Sequence, residues 1–500
     1  MVAKVKTFSF LGIDVVDVDV QVKISAGLPN ITIVGLPDKA VAESRERVRL
    51  AISSLGLSWP QKRITVNMAP ADLQKEGSHF DLAIALGILI EMEIIEQSSV
   101  ESFFALGELS LDGNISAVSG IISAAIGANQ RKYGIICPEK NGSEAAWAGD
   151  LAIISAPNLP SLISHLKGEE YLARPKTKRL DDTIFYPDLS EIKGQESAKR
   201  ALEIAAAGGH NLLMSGPPGT GKSMLASRLN GILPPPDLEE ILEINMIHSI
   251  SGKIIDGNLI TKRPYRDPHH SCSMPAMVGG GSKAKPGEIS LACNGVLFLD
   301  ELPEFPRQVL DSLRQPLETA EVSISRANSH ITYPANFQLV AAMNPCRCGY
   351  LGDGNKECKK APICGQDYQN KISGPLLDRI DIIIEVPQID IFFSQNKPSE
   401  DSKTVKARIA KAREIQRNRY QNENIIQKTN ARVSGKALEK CTEIDDDCQK
   451  ILRKSVEKMS TSMRGITRIL RVARTIADLE NSPQIKQIHL LEAIGYRRKI

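Results

Sequence analysis

The stretch GPPGTGKS at 216–223 carries the strongest chemical signal in the chain. Gly216, Gly219 and Gly221 let backbone N–H groups turn inward around a phosphate, with Pro217, Pro218 and Thr220 between them. Lys222 is placed to reach the outer phosphate oxygens, and the Ser223 hydroxyl to ligate Mg²⁺. A glycine-rich loop without a ligand is the bland reading. The frame argues against it, because the apolar run HNLLMSG precedes the loop and the helical pattern MLASRLNGIL follows it.

A second signal is GVLFLDE at 295–301. An apolar strand there delivers Asp300 to a metal at the C-terminal edge of a sheet, where ligands of such sheets bind. Glu301 beside it is set to polarise an attacking water. Two carboxylates ending a buried strand are costly unless they meet a cation. Asn344 ends the next apolar strand, LVAAMN, and an amide at that height can orient the same water. Charge on a transferring phosphoryl group also calls for arginines. Arg379 in GPLLDRID and Arg464 in TSMRGITRILRVARTIADLE are the candidates, with Arg468 as the alternative to Arg464. A surface ion pair is the commoner fate of an arginine.

Four of the nine cysteines, Cys346, Cys348, Cys358 and Cys364, fall within 19 residues directly after Asn344. Four thiolates suit a tetrahedral Zn²⁺, although the spacing departs from paired Cys-x-x-Cys ribbons. Reduced free thiols in a loop are the equal alternative. A redox-catalytic pair lacks its strand–CxxC–helix frame.

The elements that position these groups divide the chain. A linker is read at 171–188, YLARPKTKRLDDTIFYPD, which is charged and aperiodic. Before it, residues 1–170 form an α+β unit. Val16, Val18, Val20, Val22 and Ile24 alternate with polar residues as a half-buried strand does. Asp38 caps a helix bearing Val41, Val48, Ile52 and Leu55 on one face. LAIALGILIEMEII after Asp81 is too short to span a bilayer and reads as a buried helix. Residues 189–390 alternate helices with strands apolar on both faces, which suits a covered parallel sheet. Residues 391–500 are helical, and 401–440 holds 11 Lys and Arg against 4 Asp and Glu. No repeat of solenoid period is visible.

Bulk numbers agree with an ordinary globular chain of 500 residues, 42% hydrophobic and 24% charged. That length exceeds one core, so about two to four domains are expected. A net charge of +3 places any nucleic-acid contact in local patches. An odd cysteine count and the lack of an apolar leader core point to a reducing cytoplasm and no membrane.

Taken together, GPPGTGKS, GVLFLDE, the insert RPYRDPHHSCSMPAMVGGGSKAKPGEIS, NPCRCG, GPLLDRID and RILRVARTIADLE resemble the magnesium-chelatase-like AAA+ ATPases, within them the YifB/ComM branch. The resemblance covers nearly the whole chain. It implies an α/β AAA+ P-loop NTPase with a parallel sheet and an α-helical lid. It also implies a ring, usually hexameric, with ATP and Mg²⁺ between subunits. Residues 216–223 would then hold phosphates, Asp300 and Glu301 form the Walker B pair, and Asn344 act as sensor. Arg379 would be the finger reaching the neighbour's site and Arg464 the lid sensor. IKGQESAKRAL at 192–202 would pack near adenine. The related minichromosome maintenance helicases imply that EVSISRANSHITYPANF at 321–337 is a pore hairpin carrying Arg326. The Gly279–Gly281 loop with Lys283 and Lys285 would be a second pore element, or a solvated loop.

The N-terminal unit resembles the Lon-protease (ribosomal S5 domain 2-like) fold, which raises proteolysis by a Ser–Lys dyad. The alignment puts His79, next to Ser78, at the nucleophile position and Ile122 at the base position. Isoleucine takes no proton, so proteolysis is not expected. The leading expectation is a motor on single-stranded or branched DNA, driving branch migration in recombination or transformation. A protein-remodelling ATPase is the alternative, and a magnesium-chelatase subunit a more distant one.

Overall fold

In the computed structural model the described residues are 2–177, 186–254, 259–281, 284–325, 330–351, 360–388, 399–422, 428–459 and 462–497. Arg326, Lys283 and Cys358 lie outside them.

The N-terminal part builds a seven-stranded mixed sheet in the order Asn30–Val34, Arg63–Ala69, Asp14–Ser25, Ala3–Leu11, Phe103–Ala105, Gly134–Pro138, Ile153–Ala156. The alternation in Asp14–Ser25 works as read: Val18, Val20 and Val22 are wholly buried, while Asp17 and Lys23 are exposed. Asp38 accepts from the Val41 amide at 2.8 Å and starts the helix Lys39–Ser54. The helix Asp81–Glu91 is buried along Asp81 to Leu89, as an all-apolar pattern demands. Nothing in it is long enough to cross a bilayer, and no helix among the described residues is.

The second sheet is five-stranded and parallel, in the order Tyr265–Arg266, Val296–Leu299, Gln338–Met343, Leu212–Ser215, Ile382–Glu385. Its central strands are buried on both faces, which is why they read as continuous apolar runs. The edge strand Tyr265–Arg266 was not expected, because two residues carry no pattern. Glu321–Ser325 and His330–Pro334 form the expected hairpin. Gly279–Gly280 pairs with Lys285–Pro286, so the glycine-rich stretch is a paired ribbon rather than an unpaired loop. The two ribbons touch through the Tyr333 hydroxyl, which donates to the Ala284 carbonyl at 2.9 Å.

Among the described residues five helices follow: Ser402–Gln421, Gly435–Cys441, Asp446–Met459, Met463–Leu479 and Gln487–Gly495. Ile409, Ile469, Val472 and Ile476 share one apolar core with Leu202, Ile204 and Leu229 of the helices flanking the parallel sheet. Several cations of the basic run at 401–440 are engaged by other segments of the fold. Arg408 pairs with Glu203 at 2.7 Å, Arg413 donates to the Ala206 carbonyl at 2.7 Å, and Lys428 pairs with Asp237 at 2.7 Å.

The first sheet unit meets the second at the helix Leu238–Ile250. The Ser249 hydroxyl accepts from the Gly120 amide at 2.8 Å and donates to the buried Glu144 carboxylate.

Candidate active site

The three central strands of the parallel sheet each run into a residue singled out above. Leu212–Ser215 runs into Gly216, Val296–Leu299 into Asp300, and Gln338–Met343 into Asn344. The parallel register aligns these ends, because Ser215 pairs with Met343 and Leu299 with Ala341. Three segments separated by scores of residues therefore deliver polar groups to one edge.

There the side chains meet. The Ser223 hydroxyl donates to Asp300 Oδ2 at 2.6 Å, which sets two hard oxygen donors side by side. Lys222 Nζ donates to the Gly216 and Pro217 carbonyls at 2.7 and 2.8 Å and to Asn344 Oδ1 at 3.3 Å. Burial lowers the Lys222 pKa, with Asp300 pulling the other way. An ammonium held by neutral oxygens at the mouth of a glycine loop is a cation short of its counter-charge.

The loop has the shape an anion needs. A Cβ on Gly216 would lie 2.2 Å from the Val386 carbonyl oxygen, so only glycine fits there. Gly221 adopts φ +87° with open space around it, and the helix Lys222–Ile232 begins directly after it. Its first N–H groups point at the space above the loop. Gln195 donates to the Pro387 carbonyl at 2.7 Å and closes the side where the 192–202 segment packs.

The arginines group elsewhere. Arg379 ion-pairs with Glu318 and donates to the Pro375 carbonyl at 2.7 Å. Arg464 reaches the same Glu318 at 4.0 Å. The two arginines hold the Glu318 carboxyl below its usual range, Arg379 more strongly. Among the described residues neither pairs with residues 216–223. Arg468 is tied to the buried Asp381 at 2.5 Å, whose carboxyl is held far below the usual range against its own desolvation. That is a structural pair.

A segment the motif reading passed over also belongs here. After the edge strand Tyr265–Arg266 come Asp267, His269 and His270, and His270 Nδ1 lies 3.7 Å from Glu301 Oε2. Burial and the adjacent Asp300 raise the Asp267 carboxyl pKa. Consecutive histidines in RPYRDPHHS, between two sheet strands, were the available signal.

Among the described residues Cys346, Cys348 and Cys364 make no bond to the row. Cys346 is buried and Cys348 exposed, with their Sγ atoms 3.1 Å apart. Among the described residues no group of three or more His, Cys, Asp or Glu is arranged to hold a metal.

In the N-terminal unit the protease-like groups form no relay. The Ser78 hydroxyl donates to Glu108, and the His79 ring bonds the Phe8 carbonyl at 2.9 Å. Lys75 donates to the Pro70 carbonyl, and Ile122 is fully buried.

Three family models match successive parts of the chain. Residues 188–392 match the family described as magnesium chelatase, subunit ChlI. Residues 20–141 match subunit ChlI of Mg-chelatase, and 399–497 the ChlI C-terminal family. Competence protein ComM of Haemophilus influenzae is 45% identical over 98% of this chain and 96% of its own length. Protein YifB of Escherichia coli K12 is 44% identical over 99% of this chain and 96% of its own. A DNA replication licensing factor of Xenopus laevis is 24% identical over 47% of this chain and 30% of its own. The chain belongs to the magnesium chelatase ChlI family, alongside ComM and YifB.

Proposed function

We propose that the chain is an ATP-hydrolysing AAA+ ring motor that acts on DNA. The observation carrying the ATPase half is the row at the sheet edge, with Ser223 2.6 Å from Asp300 and Lys222 3.3 Å from Asn344. In this reading residues 216–221 cradle the phosphates and Lys222 neutralises the outer oxygens. Ser223 and Asp300 hold Mg²⁺, which when bound neutralises charge on the phosphates. Glu301 polarises the attacking water and Asn344 orients it. Arg379 acts as a finger in the neighbouring subunit's site and Arg464 as the lid sensor. Their shared partner, Glu318, supports a joint role. The proposed ring is a hexamer in the cytoplasm.

The units are proposed as a Lon-protease-like but non-proteolytic domain at 1–170, a linker at 171–188, the ATPase core at 189–390 with the cysteine-rich insert 346–364, and the lid at 391–500. The Asn230 amide donates to the Tyr186 hydroxyl at 3.2 Å and the Ser402 N–H to Asp188 Oδ2 at 3.2 Å, so the linker's end packs on both the core and the lid.

The DNA half rests on the likeness to a DNA replication licensing factor and on the two adjoining ribbons. Exposed Lys285 lies on one of them, with Arg326 and Lys283 completing the proposed contacts. Zn²⁺ at Cys346, Cys348, Cys358 and Cys364 rests on the Cys346–Cys348 approach, and metal analysis with and without Cys346→Ser decides it.

The test is the ATPase rate with three- and four-way DNA junctions, duplex and single strands. A salt-sensitive rise is expected on branched or single-stranded DNA. Unchanged turnover with DNA, together with stimulation by a misfolded protein, would favour protein remodelling instead.

A further inference from the structure

The geometry points to His270 as a positioning residue for Glu301, a role that rests on the ATPase reading above. Among the described residues the Glu301 carboxylate lies within 4 Å of one basic side chain, His270, whose Nδ1 is 3.7 Å from Oε2. That distance is just beyond a direct hydrogen bond, and such contacts in a ligand-free site tighten when the substrate is in place.

The approach is built by the backbone. Tyr265 pairs with Val296 and Arg266 with Leu297 in parallel register. Carried onward, the same offset sets His270 level with Glu301. Pro268 stiffens the segment between them. The ring itself is braced: it lies against His269 with centroids 4.0 Å apart and edge-on to Phe305 at 6.5 Å. Phe305 is buried, and His269 is pinned by the Ser271 hydroxyl at 2.8 Å. The His270 side chain is 38% exposed and that of Glu301 52%, so both face the open edge of the site rather than the core.

Glu301 needs such a partner. It sits at φ +52°, a strained setting for a non-glycine residue, at the start of a short turn of helix. Its own amide is bound to Asp300 Oδ1 at 2.9 Å, which fixes its backbone and leaves the carboxylate free to rotate. A general base must be held within hydrogen-bond reach of its water. His270, donating an N–H to one carboxylate oxygen, turns the other toward the phosphate edge. It touches no phosphate itself.

The experiment is steady-state ATPase on the full chain with His270→Ala, His270→Gln and Glu301→Gln, alongside binding of a non-hydrolysable ATP analogue. His270→Ala is expected to lower kcat at least about tenfold, as a small misplacement of a reacting group does, with KM and analogue affinity unchanged. His270→Gln restores most of the rate, because its amide supplies an N–H. An unaffected kcat in His270→Ala, a raised KM with kcat intact, or no rescue by His270→Gln overturns the role. Full turnover in Glu301→Gln removes the ATPase reading itself. A dead Glu301→Gln beside a normal His270→Ala removes only the part given to His270.

Discussion

Lys222 in the phosphate loop and Lys75 in the N-terminal unit are both buried lysines whose pKa burial lowers. Their surroundings differ. Lys75 donates to the Pro70 carbonyl, and the polar groups near it are likewise closed off, Ser78 on Glu108 and His79 on Phe8. Lys222 sits where the neighbouring Ser223 hydroxyl meets a carboxylate and an amide from two other segments, Asp300 and Asn344, beside open space over Gly219 and Gly221. Burial alone therefore does not mark a site. Convergence on a shared unfilled volume does.

The largest effect that tests this contrast is at the two lysines. Lys222→Ala should weaken ATP binding and lower turnover by about 10²-fold or more. Lys75→Met should leave ATP affinity unchanged in the same titration. Equal losses in both variants would erase the distinction.

Next comes Glu301→Gln. It should keep nucleotide affinity and lose about 10²- to 10⁴-fold in kcat, the range of a lost general base. Normal turnover would remove the assignment.

In the N-terminal unit the test is pH. Burial lowers the His79 pKa to about 4. The unfolded chain, with His near 6.5, binds more protons between those values. Stability from the neutral ring is thus complete above about pH 6.5 and is lost as pH falls toward about 4, by about 3 kcal/mol in total. Thermal melts across that window should show the slope, and His79→Gln should reduce it by the His79 share, leaving the part from His248, whose pKa burial likewise lowers to about 4. A slope unchanged in His79→Gln contradicts the sign or the cause.

The smallest effect is expected at Ser78→Ala. ATP-dependent peptidase activity, measured before and after, should not change. A loss would revive proteolysis in the N-terminal unit.

Much of this layout is legible in the chain itself. Gly216 to Ser223, Asp300 and Asn344 each follow a run apolar on both faces, and that pattern locates strand ends. Val18, Val20 and Val22 announce their strand by period. Other features leave no such trace. Tyr265–Arg266 is too short to have a period, so the approach of His270 to Glu301 emerges only from the register with Val296–Leu299. The Gly279–Gly280 ribbon has no side chains to alternate. The grouping of Arg379 and Arg464 depends on Glu318, a residue far from both in sequence, whose partner choice is set by packing. The basic run at 401–440 shows in the sequence only as charge, and which of its cations face carboxylates and carbonyls of other segments is set by the fold.

The central claim is an ATPase site completed by a neighbouring copy of the chain. It is tested most directly by coexpressing Glu301→Gln and Arg379→Ala and measuring ATPase turnover of the mixed assembly. Each variant alone should be inactive, the first without its base and the second without its finger. Mixed rings should regain turnover, because a subunit with intact Glu301 meets a neighbour with intact Arg379. A mixture as inactive as its two parents would contradict the account.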